Sequence, residues 1–382
     1  MLKYLPFALK NSIRNRRRTL LTLLSVGVSL FLLATLLSLY FAFYHRDETP
    51  EQALRLIVRH RVSLTFAMPE FYGTRIAQLP GVRMVCRQNW FGGTYMDRKP
   101  EHNFPRFSVD ADKIFDITPE WKVPAGERQA FERERTAAAV GRSIADRLGF
   151  RLGQKITLQG DIFPGNHEFT LRAIFEGPDD GQMLIRRDYL EETLPLRRRG
   201  MVGFFSVMAD SAPSVPRVAA AIDEVFRNSP QQTKTESERA FNLSFVSFFG
   251  DVKLILFSIS GAVTFTILLV SATTMAMSVR ERIQEVGVLK TLGFTSGKVL
   301  ALLVSEAIVI ALAGGILGTL LAKLVILKLS QMPMFFIQGM QMPPAVVGIT
   351  LGAALLIGVA SSILPALSAA RRPITEALRH AG

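Results

Sequence analysis

Reactive side chains at chemically useful spacings are few in this chain. GFTSGKV (residues 293–299) brings together two glycines, a lysine and two hydroxyls in the manner of a phosphate-binding loop. Such a loop needs four residues between its glycines and a Ser or Thr after the lysine, so that backbone amides line the phosphates and the hydroxyl reaches magnesium. Here three residues intervene and Val299 follows the lysine. DADKIFDI (residues 110–117) lacks the glycine and closing glutamate of a calcium loop. Cys86 is the only cysteine, which excludes an intrachain disulfide and a thiolate cluster. His45, His60, His102, His167 and His380 include no pair at metal-ligand spacing. Glu132 and Glu134 alternate with Arg133 and Arg135 as a solvated face, and Trp90 and Trp121 read as packing residues. Nucleophile-elbow and zinc-protease motifs do not occur. The expectation is a non-catalytic chain that binds no metal or cofactor of its own.

Two features remain. Glu306 sits in an otherwise apolar run, where an acid is costly enough to mark function by default. Only two turns from a charged loop, it could equally reach lipid headgroups or pair with Arg280, Arg282 or Lys298. That charged loop, SVRERIQEVGVLKTLGFTSGK (residues 278–298), is the second feature. Val279, Ile283, Val286 and Leu289 recur at helical spacing, with Arg280, Arg282, Glu285 and Lys290 on other faces, and Gly287, Gly293 and Gly297 break the pattern. Spacing alone leaves open a lipid-facing interfacial helix or one shown to a partner.

The elements that must position these residues are membrane spans. The chain has 382 residues, is 49% hydrophobic and has a mean hydropathy of +0.26. Its net charge of +13 is unevenly placed: residues 44–250 hold 29 Lys and Arg against 27 Asp and Glu, and the rest holds 16 against 5. The excess flanks apolar runs, as on the cytoplasmic side of a membrane protein, with no nucleic-acid motif beside it. About 20 apolar residues make one crossing. That rule gives spans at 19–43, 251–277, 299–328 and 345–368, separated by a cytoplasmic segment at 278–298 and an outer loop at 329–344. Residues 1–18, with six basic residues and no acid, read as an amphipathic helix on the inner surface. The first run is longer than a signal-peptide core and ends in YFAFY, an interfacial belt, so it is read as a retained anchor. Both termini, including the tail at 369–382, fall in the cytoplasm of an inner-membrane protein. GxxxG spacings at Gly314/Gly318 and Gly348/Gly352 permit close helix packing.

Residues 44–250 form one extracytoplasmic excursion large enough for its own core. Residues 55–64 alternate as a half-buried strand with Leu56, Val58, Val62 and Leu64 inward and Arg55, Arg59 and Arg61 outward. Strand and helix signals then alternate, giving an α+β domain of one or two lobes.

Three stretches resemble the FtsX/MacB-type ABC transporter permeases, the mechanotransmission superfamily. VRERIQEVGVLKTLGFTSGKVLALLVSEAIVIALAGGILG resembles the family's signature cytoplasmic helix and third span, including Glu285, Gly287, Lys290, Gly293, Glu306, Gly314, Gly315 and Gly318. PALSAARRPITEALR resembles its closing motif, with Pro365, Pro373 and Leu378 at matching positions. VGRSIADRLGFRLGQKITLQG with FTLRAIFEG resembles the MacB-like periplasmic core domain. The resemblance implies four transmembrane helices with the α+β domain between the first and second. It also implies a second permease copy, expected as a homodimer. ATP and Mg would be held by two separate ATPase subunits docked on residues 278–293, where Val279, Ile283, Val286 and Leu289 would fill a groove on the partner. MacB-like export of drugs, peptides or lipids, with a periplasmic adaptor and outer-membrane duct, is the implied role. Lol-type lipoprotein release and FtsX-like regulation of wall hydrolases are the alternatives. Membrane lipids are expected partners and nucleic acid is not.

Overall fold

The computed structural model describes residues 16–45, 49–247, 251–330 and 340–373. The basic stretch before Arg16, most of the 329–344 loop and the tail beyond Pro373, with Leu378, lie outside the described residues. The chain divides into two units.

The first unit holds four helices long and apolar enough to cross a membrane: α1 (Arg16–Tyr44), α2 (Val252–Glu281), α4 (Ser296–Leu329) and α5 (Pro344–Arg371), with a short α3 (Ile283–Thr291) between α2 and α4. Among lipid tails apolar burial drives little association, so these helices must gain by close contact. Small residues on α4 provide it. A Cβ at Gly318 would stand 2.5 Å from the Gly27 carbonyl oxygen and 2.8 Å from the Phe31 nitrogen, so only glycine lets α1 lie there. Gly314 meets Val26 of α1, and Gly315 meets Ala354 of α5. Val26, Leu30, Leu33, Ile267, Ala354 and Ile357 fill the space between α1, α2 and α5. Hydroxyls within the spans donate to carbonyls one turn back, as Thr319 does to Gly315 (2.6 Å) and Thr350 to Val346 (2.8 Å). The hydroxyls so bonded are satisfied without water.

Gly348 and Gly352 are not packing residues within this chain. A Cβ at either meets nothing within 4 Å, because α5 turns Val346, Thr350, Ala354 and Ile357 inward instead.

The second unit is built on one ten-stranded sheet: β1 (Arg55–His60), β2 (Val82–Trp90), β3 (Gly93–Tyr95), β4 (Arg106–Val109), β5 (Ala137–Gly141), β6 (Lys155–Gly160), β7 (Gly165–Phe175), β8 (Met183–Arg186), β9 (Phe204–Ala209) and β10 (Thr233–Ser237), in spatial order β10-β1-β9-β2-β4-β8-β5-β7-β6-β3. β4 with β8 and β5 with β7 run parallel, and the other pairs are antiparallel. Because the sheet is continuous, the two lobes left open by the sequence are ends of one sheet. Three apolar clusters cover it: around Phe169 and Leu158 at one end, Phe131 and Phe175 in the middle, and Tyr72 and Phe226 at the other. In water each fully buried side chain of this size contributes roughly 1.5–3 kcal/mol. β1 ends at His60, so Val62 and Leu64, expected inside, are 77% and 41% exposed. Arg55, expected outside, is buried.

Candidate functional site: the helix between two spans

At Arg282 the backbone leaves α2 and starts α3, and the residue belongs fully to neither (φ −107°, ψ 11°). This break turns the Arg282 guanidinium into the bundle, where Nη1 donates to Glu306 Oε2 at 2.6 Å with both side chains buried. A lone buried carboxylate or guanidinium costs several kcal/mol, and a hydrogen-bonded pair offsets that. Of the three cations in reach of Glu306 by sequence, the structure selects Arg282. Behind the pair, hydroxyls of Thr22, Ser271, Ser278 and Ser361 line a cavity of about 40 Å³ beside Glu306.

The other end of α3 is also fixed. Lys290 Nζ donates to the Arg372 carbonyl at the end of α5 (2.6 Å). α3 then stops in a paired cap: Phe294 N–H donates to Leu289 O (3.0 Å) and Gly293 N–H to Lys290 O (3.1 Å). Gly293 takes the left-handed conformation that this cap needs (φ 91°). Thr295 accepts from the Lys298 amide and starts α4, so the TSGK segment is a helix N-cap.

Between these ties, Val279, Ile283, Val286 and Gly287 are buried. Val279 and Val286 pack on Val299 and Leu303 of α4 and on Ala366, Ala369 and Ala370 of α5, with Leu289 half-buried against the same cluster. The expectation that Val279, Ile283 and Val286 fill a groove on a partner is therefore corrected: their apolar surface is already covered by this chain's own spans. Glu285 and Lys290 are half-buried, while Arg280 and Gly293 are exposed. The outward face consists of Arg280, Gln284, Val288 and Leu292, four residues apart in turn, with Glu281 and Thr291 beside them. Val288 is 49% and Leu292 71% exposed. Gln284, Val288 and Leu292 escaped the sequence reading because it gave the more apolar stripe to the partner, whereas the bundle takes that stripe and leaves the opposite face outward. Their i, i+4, i+8 spacing, continuous with Arg280, was the available signal.

A second fixed point lies in the sheet unit. Arg55 opens β1, eleven residues beyond the end of α1, and Glu238 opens the helix Glu238–Ser247 that precedes α2. Arg55 Nε donates to Glu238 (2.7 Å), and Nη1 donates to the Ile117 carbonyl and to Glu120 (both 2.9 Å). Nη2 completes a two-pronged contact with Glu120. Burial pulls the Arg55 guanidinium down, but Glu120 and Glu238 together outweigh it and hold it above its ordinary value. Burial also pushes the Glu238 carboxyl up, against the pull of Arg55. The triad, with Arg55 and Glu120 buried and Glu238 partly exposed, thus joins the two segments through which the domain connects to its spans.

Four apolar helices, an α+β domain inserted after the first of them and a tethered helix between the second and third define a multi-span membrane protein with a large inserted domain. Residues 19–225 match the MacB-like periplasmic core domain and residues 257–374 the FtsX-like permease C-terminal region, so the chain belongs to the FtsX/MacB family of ABC transporter permeases. It is 23% identical over 402 residues to the uncharacterized ABC transporter permease MJ1507 of Methanocaldococcus jannaschii, covering 98% of this chain and 97% of that one. It is 29% identical to the pyoverdine export ATP-binding/permease protein PvdT of Pseudomonas putida over 79% of this chain, but spans only 47% of that protein. It is 33% identical to the uncharacterized ABC transporter permease YvrN of Bacillus subtilis over 56% of this chain and 55% of that one. Half of the chain is also similar to the periplasmic region of MacB from Actinobacillus actinomycetemcomitans, at 8% identity and a TM-score of 0.38, covering 92% of that structure.

Proposed function

We propose that this chain is the membrane subunit of an ABC transporter whose ATPase is a separate subunit that docks on the outward face of α3. The observation that carries this reading is the double tether. α3 is bound to α4 through Arg282–Glu306 and to α5 through Lys290 and the Arg372 carbonyl, yet presents Gln284, Val288 and Leu292 outward. A helix held this way passes a displacement to both spans. A mixed face with two apolar side chains and flanking charges suits a groove on a partner, with the charges setting register.

In this reading α3 and both termini are cytoplasmic, following the basic residues. Two copies of the chain take two ATPase subunits, which hold ATP and Mg. ATP-driven closure then moves the spans and, through them, the outer domain, so that cargo is handled outside the membrane. Export of a drug, peptide or lipid, with an adaptor and outer duct, is the favoured role, and PvdT, a relative named for pyoverdine export, supports it.

The test is purification of the tagged chain from native membranes in mild detergent, with mass spectrometry of what co-elutes. A stoichiometric ATPase, lost in Val288→Asp/Leu292→Asp while the permease remains inserted, is the expected result. Retention of the ATPase by that variant overturns the docking face. Co-elution of an outer-membrane duct supports export, whereas a lipoprotein or a wall hydrolase in its place replaces export with release or regulation.

A further inference from the structure

The outer domain contains a groove of about 600 Å³ that none of the coupling features uses. Its size falls within the roughly 300–1,000 Å³ of small-molecule sites. Leu54, Met84, Phe115, Trp121 and Met208 give it an apolar lining. Trp121 is anchored for this position: its ring stacks on Phe175 (centroids 4.9 Å apart) and its indole N–H donates to the Pro178 carbonyl (2.8 Å). The ring therefore has no polar group left to satisfy, and its surface is available to an apolar body. The two methionines add side chains that adapt to irregular shapes.

The charges around the groove set what can enter. Arg128 is already engaged by Asp116 (2.8 Å) and Glu132 (2.6 Å), so its charge is not available to an occupant. Arg83 and Lys122 are exposed on the lining and make no ion pair among the described residues, and Glu51 is the one lining carboxylate in the same condition. On the lining itself Arg83, Lys122 and Arg128 face Glu51 and Asp116, an excess of one positive charge, and the two cations without an ion-pair partner among the described residues are Arg83 and Lys122. Lys122 is also held in place, since its backbone exchanges two hydrogen bonds with Glu176 (2.7 and 2.9 Å).

We infer that this groove binds a small amphipathic acid, with an alkyl or aromatic body against Trp121, Phe115 and the methionines and a carboxylate or sulfonate between Arg83 and Lys122. Two lining residues are sequence neighbours of the triad, Leu54 of Arg55 and Trp121 of Glu120. The inference does not depend on ATPase docking, and its readout involves neither ATP nor transport.

The chain has two tryptophans, so Trp90→Phe leaves Trp121 as the only one. That variant, full-length in phosphatidylcholine nanodiscs, is titrated with 8-bromooctanoate, whose bromine quenches indole fluorescence on contact. The expected result is saturable quenching that weakens at least tenfold in Arg83→Glu/Lys122→Glu and at least tenfold for the neutral 8-bromooctanol. Both substitutions are at exposed positions, and an unchanged thermal melt confirms the fold. Quenching that does not saturate overturns the site. Equal quenching by the alcohol, or by the acid in the charge-reversed variant, overturns recognition of an anion.

Discussion

Arg282 and Glu306 lock a junction between helices, and they need not be stabilising relative to an apolar pair of the same volume. Glu306→Gln leaves a buried guanidinium without its counter-charge and is expected to cost about 3–5 kcal/mol, seen as a lower Tm in detergent. Arg282→Met/Glu306→Leu is expected to regain most of that Tm while permease-stimulated ATPase activity stays low, since the directional tie is gone. Full stimulation in the double variant would remove the pair from the transmission path. The cost of Glu306 was legible in the sequence, because an acid in an apolar run is costly wherever it points, and of the readings open there the structure shows pairing with a nearby cation. Its partner was not, because three cations lay within reach and only the backbone break at Arg282 selects among them. Cys86 illustrates the plainer case. Burial pushes its thiol far up, so it is expected to resist maleimide in the native protein and react after denaturation.

Among the elements, α3 and α4 differ in how directly sequence maps to contact. Glycines 314, 315 and 318 pack as their spacing suggested, since α4 has neighbours on both sides at that height. Gly318→Leu is expected to separate α1 from α4 and lower the yield of folded protein, whereas Gly348→Leu leaves the monomer fold intact; size-exclusion and proteolysis profiles distinguish them. The same GxxxG spelling at Gly348 and Gly352 carries no such contact, because spacing marks a narrow face without naming what lies opposite it. In α3 the apolar residues were legible but their direction was not. The stripe drawn from Val279 to Leu289 does lie on one face, but α4 and α5 cover it, so the face left outward is the one that carries Arg280, Gln284, Val288 and Leu292. β1 shows the parallel error, where alternation placed Arg55 outside although Glu120 and Glu238 receive it inside.

For the whole molecule, the four spans and the inserted domain followed from length, hydropathy and charge placement, which depend little on tertiary detail. The Arg55 triad depends on it entirely, since its members are 65 and 183 residues apart in the chain. Arg55→Met should leave Glu120 buried without a cation and lower the melting temperature of the outer domain, with a smaller loss in Glu238→Gln, because Glu238 is the more exposed partner and Glu120 still holds Arg55.

The central claim is that the outward face of α3 receives the ATPase. Its most direct test is maleimide labelling of Val288→Cys and Leu292→Cys, with Gly126→Cys as a control on an exposed position of the outer domain and Cys86 buried and silent. Free permease in detergent should label at all three introduced positions, and adding the co-purified ATPase should protect Val288→Cys and Leu292→Cys but not Gly126→Cys. Unchanged labelling at both α3 positions, with the ATPase demonstrably bound, would contradict the account.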